Sequence, residues 1–327
     1  MKDMLDYNQC KDLVEKEIEN LNLNTEPNEL YQPIEYILSL SGKRIRPALL
    51  LMACNIFSDK IDDAIHPALA IEIFHNFTLL HDDIMDSAVL RRNKPTVHVK
   101  WDSNVAILSG DAMMIKAFEL VTKSKNKNSH QLINEFNKVA LEVCEGQQFD
   151  MNFEKRTDVS VDEYLNMIRL KTSVLIASSL KMGAILGNAK ENDQQLIYDF
   201  GLNLGLGFQL QDDLLDTFGE CSKFGKKIGG DIVANKKTFL LTTALSLAQD
   251  EILAQLKKLI TSHEVSREEK VKIVRGIYIQ LNIKEITQQK IDSYFQSAIS
   301  CLNHLSVPEK RLVELKKMVE ILTNRFS

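Results

Sequence analysis

The chain has 327 residues, 44% apolar and 26% charged, a composition typical of a soluble globular protein with a sizeable core. A formal net charge of −5 and a pI near 5.9 argue against nucleic acid as the main partner. Only 13 glycines and 6 prolines are present, and Pro95 and Pro308 bracket a proline-free run of 212 residues. That run excludes a turn-rich β fold and predicts an all-α architecture.

The N-terminal stretch MKDMLDYNQCKDLVEKEIEN alternates charge and has no apolar core of a secretory signal. The five cysteines (Cys10, Cys54, Cys144, Cys221, Cys301) have no metal-ligand spacing and read as reduced thiols, so a cytoplasmic location is expected. No uncharged apolar run reaches the roughly 18 residues of a membrane span. The best candidate, 172–187, is interrupted by Lys181. Nothing divides the chain, and residues 1–327 are expected to form a single domain.

In chain order, Gly42-Lys43-Arg44-Ile45-Arg46-Pro47 first places three basic groups within four residues. Ala70, Phe74, Phe77, His81 and Ile84 then step by 4, 3, 4 and 3, a helix stripe that runs into Asp82-Asp83-Ile-Met-Asp86. Arg91-Arg92-Asn93-Lys94-Pro95 follows. Residues 123–130 read as a solvated basic loop. Ser160-x-x-Glu163, Ser266-x-x-Glu269 and Ser306-x-x-Glu309 match the capping box and mark three helix starts. Lys171-Thr172 sits mid-helix among apolar residues. Leu204, Phe208, Gln211 and Leu215 form a second stripe, carrying Asp212-Asp213-Leu-Leu-Asp216. Gly201, Gly205 and Gly207 weaken that helix and imply close packing against a neighbour. Lys226, Lys227 and Lys236 follow.

The two aspartate triads share one spacing and lie 130 residues apart. At about 100° per residue, the first and last Asp share a helix face and the middle one lies beside them. Three carboxylates on one turn repel each other unless a cation is bound. Their apolar neighbours argue against ordinary exposed acidic turns. Two such clusters facing each other would suit several Mg²⁺ ions and a phosphorylated ligand, with the basic loops taking the remaining oxygens.

The strings GKRIRP (42–47), FHNFTLLHDDIMD (74–86), LRRNKPTVH (90–98), GQQFD (146–150), LKTS (170–173), FQLQDDLLD (208–216) and FGKKIGGDIVANKKT (224–238) together resemble the trans-type polyprenyl diphosphate synthases. That family includes the farnesyl and geranylgeranyl diphosphate synthases. The resemblance implies a single large helical bundle around a deep central cavity, in a homodimer. It further implies head-to-tail condensation of isopentenyl diphosphate with an allylic diphosphate, using about three Mg²⁺ ions, for which Mn²⁺ can substitute. By motif position, Asp82, Asp86 and Asp212 would bind metal directly, with Asp83, Asp213 and Asp216 as nearby or water-bridged ligands. Arg91, Lys171, Lys227 and Lys236 would hold the allylic diphosphate, Lys226 being the alternative to Lys227. Gly42, Lys43, Arg46, His75 and Arg92 would hold isopentenyl diphosphate. Thr172 and Gln209 would offer dipoles to the carbocation, and the departing diphosphate would accept the proton.

Two departures stand out. Asn93 occupies a position usually Gly in the family, and Ala234-Asn235 stands where Glu-Gly is frequent. Both put loop geometry in question without removing a charged ligand. For product length, Phe77 lies five residues before Asp82, about 7.5 Å along the axis. An aromatic there would act as a floor for the growing chain. With Thr78 beside it, a fifteen- or twenty-carbon product is expected, leaning to geranylgeranyl diphosphate. The competing readings are a metal phosphohydrolase built on His75 and His81-Asp82, a terpene cyclase, and a non-catalytic subunit of a heteromeric synthase. The first leaves the second triad unexplained, GKRIRP and the second triad disfavour the cyclase, and the third should have lost charged ligands.

Overall fold

The computed structural model describes residues 4–219, 229–261 and 265–323. Its helices are α1 (Tyr7–Glu19), α2 (Asn28–Ser39), α3 (Ile45–Phe57), α4 (Asp62–Met85), α5 (Val97–Lys100), α6 (Ser103–Thr122), α7 (Ser129–Glu154) and α8 (Val161–Ile168). A π-helical turn, Arg169–Ser173, leads into α9 (Val174–Leu186) and then α10 (Glu191–Phe218). The remainder is α11 (Gly230–Val233), α12 (Phe239–Leu247), α13 (Asp250–Thr261), α14 (Arg267–Gln280), α15 (Ile283–Asn303), a 3₁₀ turn (Glu309–Arg311) and α16 (Val313–Thr323). Among the described residues the only strands are β1 (Leu90–Arg91) and β2 (Lys94–Pro95), a two-residue antiparallel hairpin. The all-α expectation holds.

The chain forms two compact units. The first takes the residues up to Lys138, Ser178–Tyr198 and Leu305–Met318. There α4 packs on α3 and α6, and α1 lies against α3 and α4. Every residue of α3 from Pro47 to Ile56 is buried, as expected of a helix apolar on all sides. The second unit takes Val139–Ala177, Asp199–His304 and the chain from Val319 on. In it α12 packs on α8 and α15, and α14 on α11, α13 and α15.

The capping signals divide. Ser160 forms a reciprocal box with Glu163, and the Ser266 hydroxyl accepts from the Glu269 amide. Ser306 does not cap. Its hydroxyl and amide both donate to the Asp193 carboxylate at 2.7–2.9 Å, and the next helical turn begins at Glu309 behind Pro308. A long-range carboxylate competes better than a local amide when proline already sets the turn. Four of the five cysteines are described and each is a free thiol; Cys221 lies outside the described residues. No described helix is long and apolar enough to cross a membrane.

Candidate active site

The first triad closes α4, with Asp86 as its C-cap. The three acids do not share one environment. Asp83 is buried, Asp82 half-buried and Asp86 exposed. Arg91 on β1 takes Asp83 in a side-on grip: Nε lies 2.9 and 2.8 Å from its two oxygens, and Nη2 lies 2.7 Å from Oδ1. Burial opposes the charge on Arg91. Its hydrogen bond to Asp83, with Asp83, Asp82 and Asp86 nearby, more than offsets this and raises its pKa. The hairpin that delivers Arg91 turns through Arg92 (φ 52°) and Asn93 (φ 62°). Two central residues at positive φ make the turn that suits the strand twist, and Asn tolerates this conformation best after Gly. The departure at Asn93 therefore preserves the turn.

Phe77, Thr78 and His81 lie on the same helix. The Phe77 ring sits 5.7 Å from Phe74 and 4.7 Å from the His81 imidazole, and Phe74 in turn contacts Phe136 at 5.5 Å. Phe118 completes this aromatic cluster from α6, 5.1 Å from Phe136. Thr78 donates to the His75 carbonyl at 2.8 Å. His81 Nε2 lies 3.2 Å from the Ile107 carbonyl, which makes His81 a packing residue beside the triad.

The cationic pocket

Gly42, Lys43, Arg46, His75 and Arg92 all line one cavity of about 470 Å³, with Ser41, Arg44, Ile45 and Glu72. Arg46 Nη1 lies 3.1 Å from His75 Nε2. Arg46 Nε is buried and has no hydrogen-bond partner among the described residues. Burial drives the Arg46 pKa down to about 10, and Glu72 only partly compensates. Burial, then Arg46, Arg92, Arg91 and Arg44, hold His75 well below its ordinary pKa, so its imidazole is neutral at pH 7. An anion is the natural complement to an orphaned guanidinium donor in such a cavity.

Arg44 behaves differently from the other cations of its motif. It is only 4% exposed, and its guanidinium meets Glu72 (2.7 Å), Glu15 (3.0 Å) and the Leu38 carbonyl (2.7 Å). Three basic residues in four positions looked alike in the sequence. One of them borders the cavity but commits its guanidinium to protein carboxylates and a carbonyl.

The second triad and its lysines

In α10, Asp213 is buried while Asp212 is exposed and Asp216 half-buried. Tyr164 of α8 donates to Asp213 Oδ2, and Gln209 Nε2 donates to Oδ1 at 3.1 Å. Burial raises the Asp213 pKa to about 7, with Asp231 and Asp212 adding to it and the two donors opposing. Asp216 Oδ2 accepts from the Asp231 amide at 2.9 Å. Tyr164 carries no motif signature, and the capping box just before it was the only local cue.

Lys171 and Thr172 fall within the π-helical turn, a widened geometry that recurs at functional sites. Lys171 pairs with Asp150 at 2.6 Å, and Thr172 donates to Gln209 at 3.3 Å. Backbone approach is extreme on both sides. A Cβ on Gly146 of α7 would lie 2.3 Å from the Lys171 amide nitrogen, and one on Gly205 of α10 would lie 2.7 Å from the Ser173 Cα. The expected packing role of Gly205 is thus specific: it makes room for the turn.

Lys236 is exposed after α11, in a loop whose Asn235 has φ 54°. As with Asn93, an Asn stands where the backbone is left-handed. Here its side chain also accepts from Lys270 at 2.6 Å. Lys226 and Lys227 lie outside the described residues.

The sequence profile of the polyprenyl synthetase family matches residues 27–277. The chain belongs to that family. It is 38% identical to the short chain isoprenyl diphosphate synthase of Methanocaldococcus jannaschii, over 79% of this chain and 80% of that protein. It is 41% identical to the geranylgeranyl diphosphate synthase of Methanosarcina mazei, over 71% of this chain and 72% of that one. A crystal structure of a geranylgeranyl pyrophosphate synthase superposes with a TM-score of 0.93 at 45% identity, covering 99% of this chain and 100% of its own. The resemblance drawn from the motifs is therefore correct, and the chain is a trans-type prenyltransferase.

Proposed function

We propose that this prenyltransferase condenses isopentenyl diphosphate with dimethylallyl, geranyl or farnesyl diphosphate, leaning to a twenty-carbon product. The allylic C–O bond breaks, the isopentenyl double bond attacks the resulting cation, and a proton passes to the departed diphosphate. The observation that carries the reading is the cationic cavity. All five residues assigned to isopentenyl diphosphate line it, and the orphaned Arg46 Nε needs an acceptor.

Mg²⁺ fits the donor set. Asp82, Asp86 and Asp212 present hard carboxylate oxygens at partly or fully exposed positions, as a water-rich octahedral ion requires. No ready cluster of three ligands exists among the described residues, and Asp83 and Asp213 are engaged by Arg91 and Tyr164. In this reading the outer aspartates bind metal, about three ions in all with Mn²⁺ as a substitute, and the middle ones hold the turns. Bound metal supplies Lewis-acid stabilisation of the leaving diphosphate. Lys171, Arg91, Lys236 and either Lys226 or Lys227 take its remaining oxygens. Thr172 and Gln209 direct dipoles at the cation.

The proposal includes one functional domain acting as a cytoplasmic homodimer. Ile107, Leu108 and Ile115 support the dimer, since they expose three large apolar side chains (44%, 60% and 71%) within one sector of α6, beside the polar Asn104 and Asp111. Incubation with Mg²⁺, isopentenyl diphosphate and each allylic starter, with products identified by mass, tests the reaction. Geranylgeranyl diphosphate is the expected main product. Cyclic hydrocarbon would favour a terpene cyclase. No turnover without an added second protein would favour a subunit of a heteromeric enzyme.

A further inference from the structure

The Lys43–Arg44 turn, which leads into the first turn of α3 and Arg46, is tied to a helix outside the family profile. Arg44 has φ 48°, the left-handed region that a non-glycine residue enters only at some expense, and no side chain caps α3 at that point. Its guanidinium compensates through Glu72 of α4, the Leu38 carbonyl of α2 and Glu15 of α1. A second tie comes from the same N-terminal helix: the Tyr7 hydroxyl donates to the backbone carbonyl of Lys43. Burial, then Glu72 and Glu15, hold the Tyr7 pKa above its usual value, which keeps that hydroxyl protonated and donating. Both α1 residues therefore grip consecutive residues of one strained turn. Lys43 on one side of Arg44 and Arg46 on the other line the cavity. The helix is itself anchored: Cys10 and Val14 are buried, Asp6 forms a capping box, and the Leu5 amide donates to Asn55 at 2.8 Å.

We infer that Tyr7 and Glu15 of α1 are positioning residues for the diphosphate pocket, holding the Lys43–Arg44 turn so that Lys43 and Arg46 converge on one anion. Neither α1 residue lines the cavity, so they act through the turn and not by contact with substrate. The inference rests on the pocket being the isopentenyl diphosphate site, and it assigns a function to a segment that precedes the matched residues 27–277.

The test uses the full chain with Tyr7→Phe, Glu15→Gln and the double variant, beside Lys43→Ala as a check on the pocket. Steady-state KM is measured for each substrate in turn, with calorimetric titration of isopentenyl diphosphate alone. Lys43→Ala should weaken isopentenyl diphosphate at least tenfold. The double α1 variant should raise KM and Kd for isopentenyl diphosphate about five- to tenfold, with allylic KM and kcat changed less than twofold. A uniform loss in all parameters, or none, overturns the positioning role. If Lys43→Ala leaves isopentenyl diphosphate binding intact, the assignment of the pocket fails instead. Far-ultraviolet circular dichroism and Tm of each variant separate a displaced turn from an unfolded helix, because a melted α1 would lower both.

Discussion

Arg91 meets both carboxylate oxygens of Asp83 through Nε and adds Nη2 at 2.7 Å, while Asp82, one residue earlier, is only half-buried. Adjacent residues of one motif therefore have separable tasks. Asp83→Asn should cost roughly 1.5–3 kcal/mol of stability, the range for a hydrogen bond to a charged group. Asp82→Asn should leave Tm nearly unchanged but lower kcat on the order of 10²-fold or more, as expected for a lost metal ligand. Thermal melts and Mg²⁺-dependent turnover of the two variants decide this; equal losses of stability would reject the division.

The π-helical turn offers a sharper structural test. A methyl group on Gly146 cannot be accommodated 2.3 Å from a backbone nitrogen without moving the turn. Gly146→Ala should destabilise the protein by about 1–3 kcal/mol, the usual range for overpacking. It should also raise the allylic KM more than the isopentenyl KM, because Lys171 moves with the turn. An unchanged allylic KM would separate the turn from diphosphate binding.

Phe77 contacts Phe74 and His81 in an aromatic cluster, and shortening it opens space on the helix that carries the first triad. Phe77→Ala should lengthen the main product by one or more isoprene units, read by mass spectrometry. If the product is unchanged, Phe118 of the same cluster becomes the next floor to test.

Acid should act through His75. Arg46, Arg92, Arg91 and Arg44 face it, and with burial they depress its folded-state pKa. The unfolded imidazole binds a proton below about pH 6.5, whereas the folded one does not. The unfolded state then binds more protons, so stability falls as pH drops below that value. Asp213, whose pKa burial raises, takes its proton first in the folded state and works in the opposite direction. The His75 contribution is therefore read by denaturant titrations between pH 8 and pH 5 as a difference: His75→Gln should lose less stability on acidification than the unaltered chain.

Much of the site was legible because its cues are local. Helix periodicity placed both triads on helices, and motif order identified the family. The five pocket residues were named from three short strings and line one cavity. The glycine-position departures at Asn93 and Asn235 resolve as left-handed turns that Asn also adopts. Ser306 was misleading, and Arg44 could not be told from its basic neighbours by residue type, for one shared reason. Their partners, Glu15 and Glu72 for Arg44 and Asp193 for Ser306, lie 28 to 113 residues away, so no window of sequence contains them.

The amino-acid sequence by itself determined the helices, the family and the inventory of charges, because these depend on spacing along a helix and on residue type. Only the tertiary structure decided which charge of each cluster is buried. Neighbouring positions on a helix point about 100° apart, so packing alone separates them. The hairpin carrying Arg91 covers Asp83, Tyr164 of α8 covers Asp213, and α1 with α4 claims Arg44, while Asp82, Asp86 and Asp212 keep access to solvent.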